Sequence, residues 1–372
     1  MNEMTRLYVD FHVIQTVPPS CINRDDTGSP KTALYGGVRR ARVSSQSWKR
    51  AMRKMFNEDF QQANFGIRTK RISSLLVTEI RALQPTMDEE EALSLVEGFM
   101  KLCGISTKKK NDVEKTNVLF FISKTQIHNL AEYILAHKNA KDKNIKKEVK
   151  KLLSQNHSID IALFGRMIVV SDKLNFNTDA SAQVAHSIST HRVDNEYDYF
   201  TAIDDLAPED NAGADMIGVV EFNSSTMYRY ATVSVHTLVK ELNGEKELAA
   251  AAVKEFAKAF IQSMPTGKQN TFANRTLPDA VLVTVRRDQP VNFVGAFESP
   301  VRTTDGGYAE RSIQKLAEYA NKIYTNYVDA PEHSWSIGMG DEQNNVNLKE
   351  LLQSVHDALP EDLTNMVSSG QE

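Results

Sequence analysis

Leu7 to Ile14 reads LYVDFHVI, a run in which apolar and polar residues alternate and the apolar members are largely β-branched or aromatic. Successive strand side chains point to opposite faces, so this pattern predicts a first β-strand with one face buried. Beyond it, Pro18, Pro19, Gly28, Pro30, Gly36 and Gly37 break any periodicity and predict a long loop. A loop of that kind is usually functional or disordered. Ser44 or Ser45 then supplies a side-chain oxygen for the orphan N–H groups of a first helical turn, and a helix is expected from about Gln46 to Phe56. Trp48, Ala51, Met52, Met55 and Phe56 recur on one face of that helix, leaving Gln46, Lys49 and Arg53 on another, flanked by Arg50 and Lys54.

Working outward, Met87 to Ser154 reads as mainly helical and opens on Asp88, Glu89, Glu90 and Glu91, acids suited to a helix N-terminus. Lys138 to Lys151 carries seven lysines. Such a run either binds nucleic acid or is the wet face of a helix packed through Ile145, Val149, Leu152 and Leu153. Ser158 to Met167 (SIDIALFGRM) has a strand-like pattern ending at Gly165, and Ile168 to Asp215 is polar and turn-rich, as expected of a projecting element. Met216 to His236 is strongly β in character, Leu248 to Ser263 is an amphipathic helix, and Ala280 to Val285 (AVLVTV) is a buried strand. Ile313 to Tyr327 predicts a last major helix before a polar tail. This order suits an α+β sheet with helices on one face, including the βαββαβ arrangement of RRM-like (ferredoxin-like) domains.

The 372 residues can bury a substantial core as one large or two ordinary domains, with 41% apolar and 25% charged residues typical of folded chains. Met1 to Asp10 lacks the apolar core of a secretion signal, and no stretch approaches ~20 uninterrupted apolar residues, so a cytoplasmic protein without a membrane partner is expected. Cys21 and Cys103 cannot build a disulfide framework and form no C-x-x-C pair. The net charge of −4 argues against nucleic acid only if charge is evenly spread. It is not: no acid occurs between Asp26 and Glu58, where Lys31, Arg39, Arg40, Arg42, Lys49, Arg50, Arg53 and Lys54 supply eight cations, although the whole chain has 48 acids.

Catalytic readings find little support. His186 and His191 are five apart, whereas a helical zinc pair needs i, i+4 spacing. Asp25 and Asp26 could hold Mg²⁺ for phosphodiester cleavage, yet Asn-Arg-Asp-Asp in a Pro/Gly loop is also turn chemistry. No P-loop, dinucleotide or G-x-S-x-G motif is present, so neither cofactor nor metal is expected. The basic run remains. Arg and Lys neutralise phosphates whatever the base sequence, and Ser, Gln and backbone N–H groups position the strand. Tyr197, Tyr199 and Phe200 either stack on bases or form a local mini-core.

Several blocks are familiar: Ser20 to Asp26 (SCINRDD), Gly36-Gly37, Arg42 to Lys54 (RVSSQSWKRAMRK), Asp160 to Met167 (DIALFGRM), Ala185 to Asp194 (AHSISTHRVD), Tyr199 to Leu206 (YFTAIDDL) and Tyr228 to Ala231 (YRYA). Together they resemble the CasC (Cse-type) backbone subunits of the type I-E CRISPR surveillance complex, Cascade. The resemblance implies an RRM-like palm (residues 1–60, 157–190 and 216–330), a helical finger-like insertion (61–156), a projecting thumb (191–215) and a C-terminal segment (331–372). It implies a non-catalytic subunit that polymerises along a CRISPR guide RNA and presents it to target DNA. Its partners would be further copies of itself and the large, small and two guide-end-capping Cascade subunits. By position, Ser44, Gln46, Lys49 and Arg53 would contact guide phosphates, with Lys31, Arg39, Arg40, Arg42 and Arg50 nearby. Arg166 and Met167 would lie beside the guide, and Tyr199, Phe200 and Thr201 near a displaced nucleotide. The competing expectation is a metal-dependent ribonuclease of the type III backbone kind, using Asp25 or Asp26.

Overall fold

The alternating run at Leu7 does form a strand, and it is longer than the pattern: β1 (Tyr8–Ser20). A computed structural model describes residues 6–59, 65–110, 113–138, 145–171, 174–202, 216–303, 306–340 and 344–367. After β1 come β2 (Thr32–Tyr35), β3 (Val38–Val43) and α1 (Ser45–Asp59). They are followed by β4 (Ile67–Thr69), α2 (Ile72–Leu83), α3 (Glu89–Cys103), β5 (Thr107–Lys110) and β6 (Val113–Thr116). Next are β7 (Phe120–Ile122), α4 (Lys124–Ala136), α5 (Ile145–Leu153), α6 (Ile159–Phe164), β8 (Val169–Ser171) and β9 (Leu174–Asn175). Then follow β10 (Ala182–Val184), β11 (Ser187–Ser189), β12 (Glu196–Ala202), β13 (Met216–Ser234), α7 (Val235–Glu241) and α8 (Lys246–Gln262). The remaining elements are α9 (Gln269–Phe272), β14 (Ala280–Arg286), α10 (Ala309–Asn326), β15 (His333–Ile337) and α11 (Leu348–Val367).

The chain divides into two compact units, residues 1–55, 184–232 and 253–372, and residues 56–183 and 233–252. Residues 157–183, grouped with the palm on sequence, fall in the second unit.

The first unit is built on a sheet of order β15-β14-β1-β13-β11-β3-β2. β1 runs antiparallel to β14 with Phe11 opposite Val283, and β11 joins β13 to β3 with Ile188 facing both Tyr228 and Arg42. α1 lies in the connection between β3 and β11, and α8 in that between β13 and β14. Neither face of β1 is open to water, contrary to the half-buried strand and one-sided helix layer expected. Phe11 packs on Phe256 and Phe260 of α8, with centroids 5.4 and 6.1 Å apart. On the opposite face Asp10 and His12 are fully buried. Asp10 accepts from Tyr230 Oη (3.0 Å) and the Val291 N–H (2.8 Å), and His12 Nδ1 pairs with Tyr228 Oη (2.9 Å). Tyr228, Phe293 and Phe297 build an apolar cluster there with Leu316 and Ala320 of α10. The polar members of the alternating run are therefore interior groups with partners, as burial requires.

Residues 331–372 are more than a tail. β15 extends the sheet beside β14, and α11 buries Leu351, Val355 and Leu359. Ile168 to Asp215 is also only partly projecting: β11 is a sheet strand, its residues Ser187 and Ser189 buried.

The second unit centres on α2 to α5, with Leu76, Ile80, Val96, Met100, Ile127 and Leu130 in its core. The Asp88 carboxylate caps α3 by accepting from the Glu91 N–H at 2.7 Å, and Ser123 with Gln126 forms a capping box on α4. The segment is not only helical, since β5 pairs with β6 and β4 with β7. In α5, Ile145, Val149 and Leu153 are buried while the adjoining lysines face solvent, in keeping with the wet-face reading; Asn139 to Asn144 lie outside the described residues. Ser158 to Met167 is not a strand: Ile159 to Phe164 form α6, and all six side chains are buried, which removes the periodicity that separates a short buried helix from a strand.

Candidate nucleic-acid interface

The acid-free run folds as the β2–β3 hairpin followed by α1. Gly36 and Gly37 take left-handed conformations (φ 58° and 76°), the requirement of a two-residue hairpin turn. A Cβ at Gly36 would also lie 1.6 Å from the Glu298 carbonyl oxygen. Gly36→Ala is expected to destabilise the first unit by about 1–2 kcal/mol from the left-handed penalty alone; a thermal melt unchanged from wild type would contradict this.

The hairpin sorts its arginines. Arg39 is exposed, and Arg42 is half-buried, its Nε donating to the Thr32 carbonyl (3.2 Å) and its Nη1 lying 3.2 Å from His186 Nδ1. Arg40 points inward with no exposed surface. Its guanidinium donates to the carbonyls of Tyr35 (3.1 Å), Ser189 (2.9 Å), Phe297 (2.8 Å) and Glu298 (3.2 Å). Arg40 thus leaves the list of phosphate contacts and joins the framework. Lys31 is half-buried, and its backbone ties the loop to the hairpin through Lys31 N–H to Asn23 O and Arg42 N–H to Lys31 O, both 2.9 Å.

Ser44 is nine-tenths buried and acts as a cap: its Oγ accepts from the Ser47 N–H (3.4 Å), and its own N–H donates to Asn23 Oδ1 (2.8 Å). Its hydroxyl is the helix-end group expected of one of the two serines. The first turn of α1 contains no acid, so nothing on the helix itself neutralises the positive end of its dipole. Gln46, Arg50 and Lys54 are exposed, and Lys49 and Arg53 half-buried. Beside them opens a cleft of about 650 Å³ lined by Arg24, Asp25, Ser47, Arg50, Lys54 and Lys268. Arg24 and Lys268 escaped the sequence reading; the Pro265-Thr266-Gly267-Lys268 turn was the available signal for the second. Asp25 Oδ1 accepts from the Thr27 hydroxyl (2.7 Å), the Thr27 N–H (2.9 Å) and the Ser29 N–H (3.0 Å), contacts that lower its pKa, the hydroxyl most.

Trp48 seats α1 on the sheet. Its Nε1–H donates to Ser187 Oγ (2.8 Å), and the buried Arg229 guanidinium lies 3.8 Å from its ring centroid. Arg229 also donates to Gln15 and to the Phe260 carbonyl, and burial pushes its pKa down to about 9.

At the other end of β13, residues Met216 to Phe222 pair with β12 as a two-stranded ribbon. Tyr197, Tyr199 and Val219 are exposed, and Tyr199 sits opposite Val219. Phe200 is directed at Gly218, where a Cβ would meet its ring at 2.3 Å, and Thr201 is exposed. The tyrosines do not form a mini-core. Ile203 to Asp215 lie outside the described residues.

In the second unit, Met167 is 81% exposed and Arg166 is buried. Arg166 donates to the carbonyls of Phe176 (3.0 Å), Phe121 (3.1 Å) and Leu153, to Gln126 Oε1 (3.1 Å) and to Thr178 Oγ1 (3.2 Å). Like Arg40 it is an interior hub, which corrects its placement as a surface contact.

His191 receives the Thr226 N–H at Nε2 (3.1 Å), donates from Nδ1 to the Arg192 carbonyl (2.7 Å) and stacks on Tyr308. Acceptance at one nitrogen and donation at the other fix a neutral ring, and burial lowers its pKa. Among the described residues no group of three His, Cys, Asp or Glu could hold a metal ion, and no helix is long and apolar enough to cross a membrane.

A family model described as CT1975-like protein matches residues 9–361. Among solved structures, a chain of a "CRISPR RNA-guided surveillance complex, pre-nicking" is 32% identical with a TM-score of 0.79, over 95% of this chain and 100% of that one. A chain of a second "CRISPR RNA-guided surveillance complex" is 29% identical with a TM-score of 0.70, over 94% and 99%. No curated protein matches. The matches run through the hairpin, α1, the ribbon and the Arg166 hub alike, and the chain belongs to the CT1975-like protein family, the CasC-type backbone family to which its sequence blocks pointed.

Proposed function

We propose that this chain is a non-catalytic, guide-RNA-binding backbone subunit of a type I-E CRISPR surveillance complex, acting in the cytoplasm. Copies of it would line up along the guide with the other subunits of the complex and present the guide to target DNA. The observation that carries this reading is the run of cations on β3 and α1, uninterrupted by any acid between Asp26 and Glu58, in a chain similar to surveillance-complex subunits. Arg39, Gln46, Lys49, Arg50 and Arg53 would follow the ribose-phosphate chain, and Tyr199, Phe200 and Thr201 would meet a displaced base. An RRM-like palm is supported by the strand order β14-β1-β13-β11 with α1 and α8 as its connecting helices. The second unit would be the finger-like insertion and the β12–β13 ribbon the thumb. Holding the guide in an open trace lowers the ordering entropy lost when it pairs with target.

Replacing both Lys49 and Arg53 by alanine is expected to weaken guide binding about tenfold for all sequences alike. It should also reduce the salt slope by about 1.4, or 0.7 per lost phosphate contact on a single strand. Filter binding at several salt concentrations checks this, and an unchanged slope would move the RNA elsewhere. The turn-forming bonds of Asp25 favour a structural over a catalytic carboxylate. Mg²⁺-dependent RNA cleavage that vanished in Asp25→Ala or Asp26→Ala would establish the ribonuclease reading in its place.

A further inference from the structure

We propose that His186 is a positioning residue for guide binding: its neutral ring holds the Arg42 guanidinium in place on the β2–β3 hairpin without cancelling its charge. This rests on the reading above that β3 and α1 hold a guide RNA, and extends it to Arg42.

The fold separates the two histidines of the His186 to His191 stretch. His191 is shut inside against Tyr308, whereas His186 is exposed immediately before β11. The backbone around His186 is fixed from both sides. The Ala185 N–H donates to the Tyr230 carbonyl (3.0 Å), and Ser187 accepts the Trp48 indole N–H and lies opposite Val43. The same pairing sets Ile188 opposite Arg42, and the imidazole meets the guanidinium with His186 Nδ1 3.2 Å from Arg42 Nη1.

A guanidinium has N–H donors and no acceptor, so at this contact the imidazole accepts; Nδ1 is unprotonated and the ring proton sits on Nε2. Arg42 also donates from Nε to the Thr32 carbonyl (3.2 Å). Both acceptors are uncharged. A carboxylate in either place would orient the guanidinium and neutralise it, and the sequence offers no acid between Asp26 and Glu58. Nε and Nη1 are engaged, and Nη2 is the nitrogen left for a phosphate. A guanidinium already held in this way loses less rotamer freedom when that phosphate arrives.

Protonation would place an N–H on both ring nitrogens and turn Nδ1 from acceptor into donor, against a second cation. Burial, then Arg42 of β3 and Lys31 ahead of β2, lower the His186 pKa from its ordinary 6.5. Arg229 of β13 is directed instead at Trp48 and Phe260. The neutral, holding form therefore prevails at neutral pH and is lost as pH falls below the ordinary imidazole range.

Binding of a labelled repeat-spacer RNA to the full chain is measured at pH 7.5 and pH 5. At pH 7.5 His186→Ala is expected to weaken binding about threefold, the worth of holding one neutral hydrogen bond. In an Arg42→Gln background the same substitution should have no further effect. His186→Asn, whose Oδ1 can stand in for Nδ1, should restore most of the lost affinity. The ratio of wild-type to His186→Ala affinity should fall towards one at pH 5, while that of His186→Asn to His186→Ala stays constant. A ratio that rises on acidification, with a salt slope steeper by about 0.7 in the wild type, would make His186 itself a phosphate contact and overturn the positioning role. So would wild-type affinity in His186→Ala, or equal effects of that substitution with and without Arg42. His186 is exposed, so its variants should keep the wild-type melting temperature. Failure of the wild type to bind the RNA at any salt would overturn the underlying reading and this one with it.

Discussion

Trp48→Ala is expected to destabilise the first unit by about 3–5 kcal/mol, the range for truncating a large aromatic in a close-packed core. Three losses coincide. The fully buried ring leaves a cavity between α1 and the sheet. Ser187 Oγ loses the indole N–H, and Arg229 loses the π-face 3.8 Å from its guanidinium carbon while remaining a buried cation. Phe260, whose ring centroid is 4.7 Å from the same guanidinium, is the platform that remains. Trp48→Phe keeps an aromatic face and loses chiefly the N–H, so its cost should be nearer 1–2 kcal/mol. Urea unfolding followed by circular dichroism measures both. Equal effects of the two substitutions would show that the hydrogen bond, not the ring, seats α1. On the proposed role, guide binding should fall in Trp48→Ala at temperatures where the unit is still folded, because Gln46, Lys49 and Arg53 share the helix that Trp48 fixes.

Where the sequence was legible, one periodicity dominated. β14 is buried along its whole length and reads from Ala280 to Val285 as an apolar run interrupted by Thr284 alone; α1 and α8 show helical spacing, and a serine precedes α1. Illegibility had two physical sources. In β11 the residues facing the interior are serines, whose hydroxyls are satisfied by Trp48, by the Ala41 N–H and by the His191 carbonyl. A rule that equates polar with exposed cannot place them. Arginine was the second. Arg39 and Arg40 are adjacent and chemically identical, yet the strand turns one to solvent and the other onto four carbonyls. The basic run therefore overstated the number of charges that its segment turns to solvent. The same applies to Arg166, where a motif placed two neighbours together and the fold separates them into hub and exposed side chain.

Acidification is expected to weaken the second unit more than the first. Burial, with the Arg166 charge next in importance, lowers the His157 pKa from 6.5 to about 4. A group whose folded pKa lies below its unfolded value is stabilising above the unfolded pKa, and that stability is lost as pH falls towards the folded one. Between pH 7 and pH 5 the loss is about 2 kcal/mol for His157. Glu241, whose Oε2 lies 3.1 Å from His157 Nδ1, has its pKa raised by burial, so it opposes the loss only as pH approaches the carboxylate range. In the first unit the contributions cancel in part. His12, lowered to about 3 by burial, and His191, also lowered, lose stability over the same interval. Asp10, raised to about 6 by burial, has the opposite sign: its folded form holds a proton more tightly than the unfolded chain, and stability returns as pH drops through 6. Hydrogen exchange at pH 7 and pH 5, corrected for intrinsic rates, separates the two units. Protection in α4 and α5 should fall further than that in β1 and β14, and His157→Gln should abolish the difference. Equal losses in both units would mean that His157 carries a proton in the folded protein and that Arg166, its cationic neighbour, is less enclosed than its acceptors indicate.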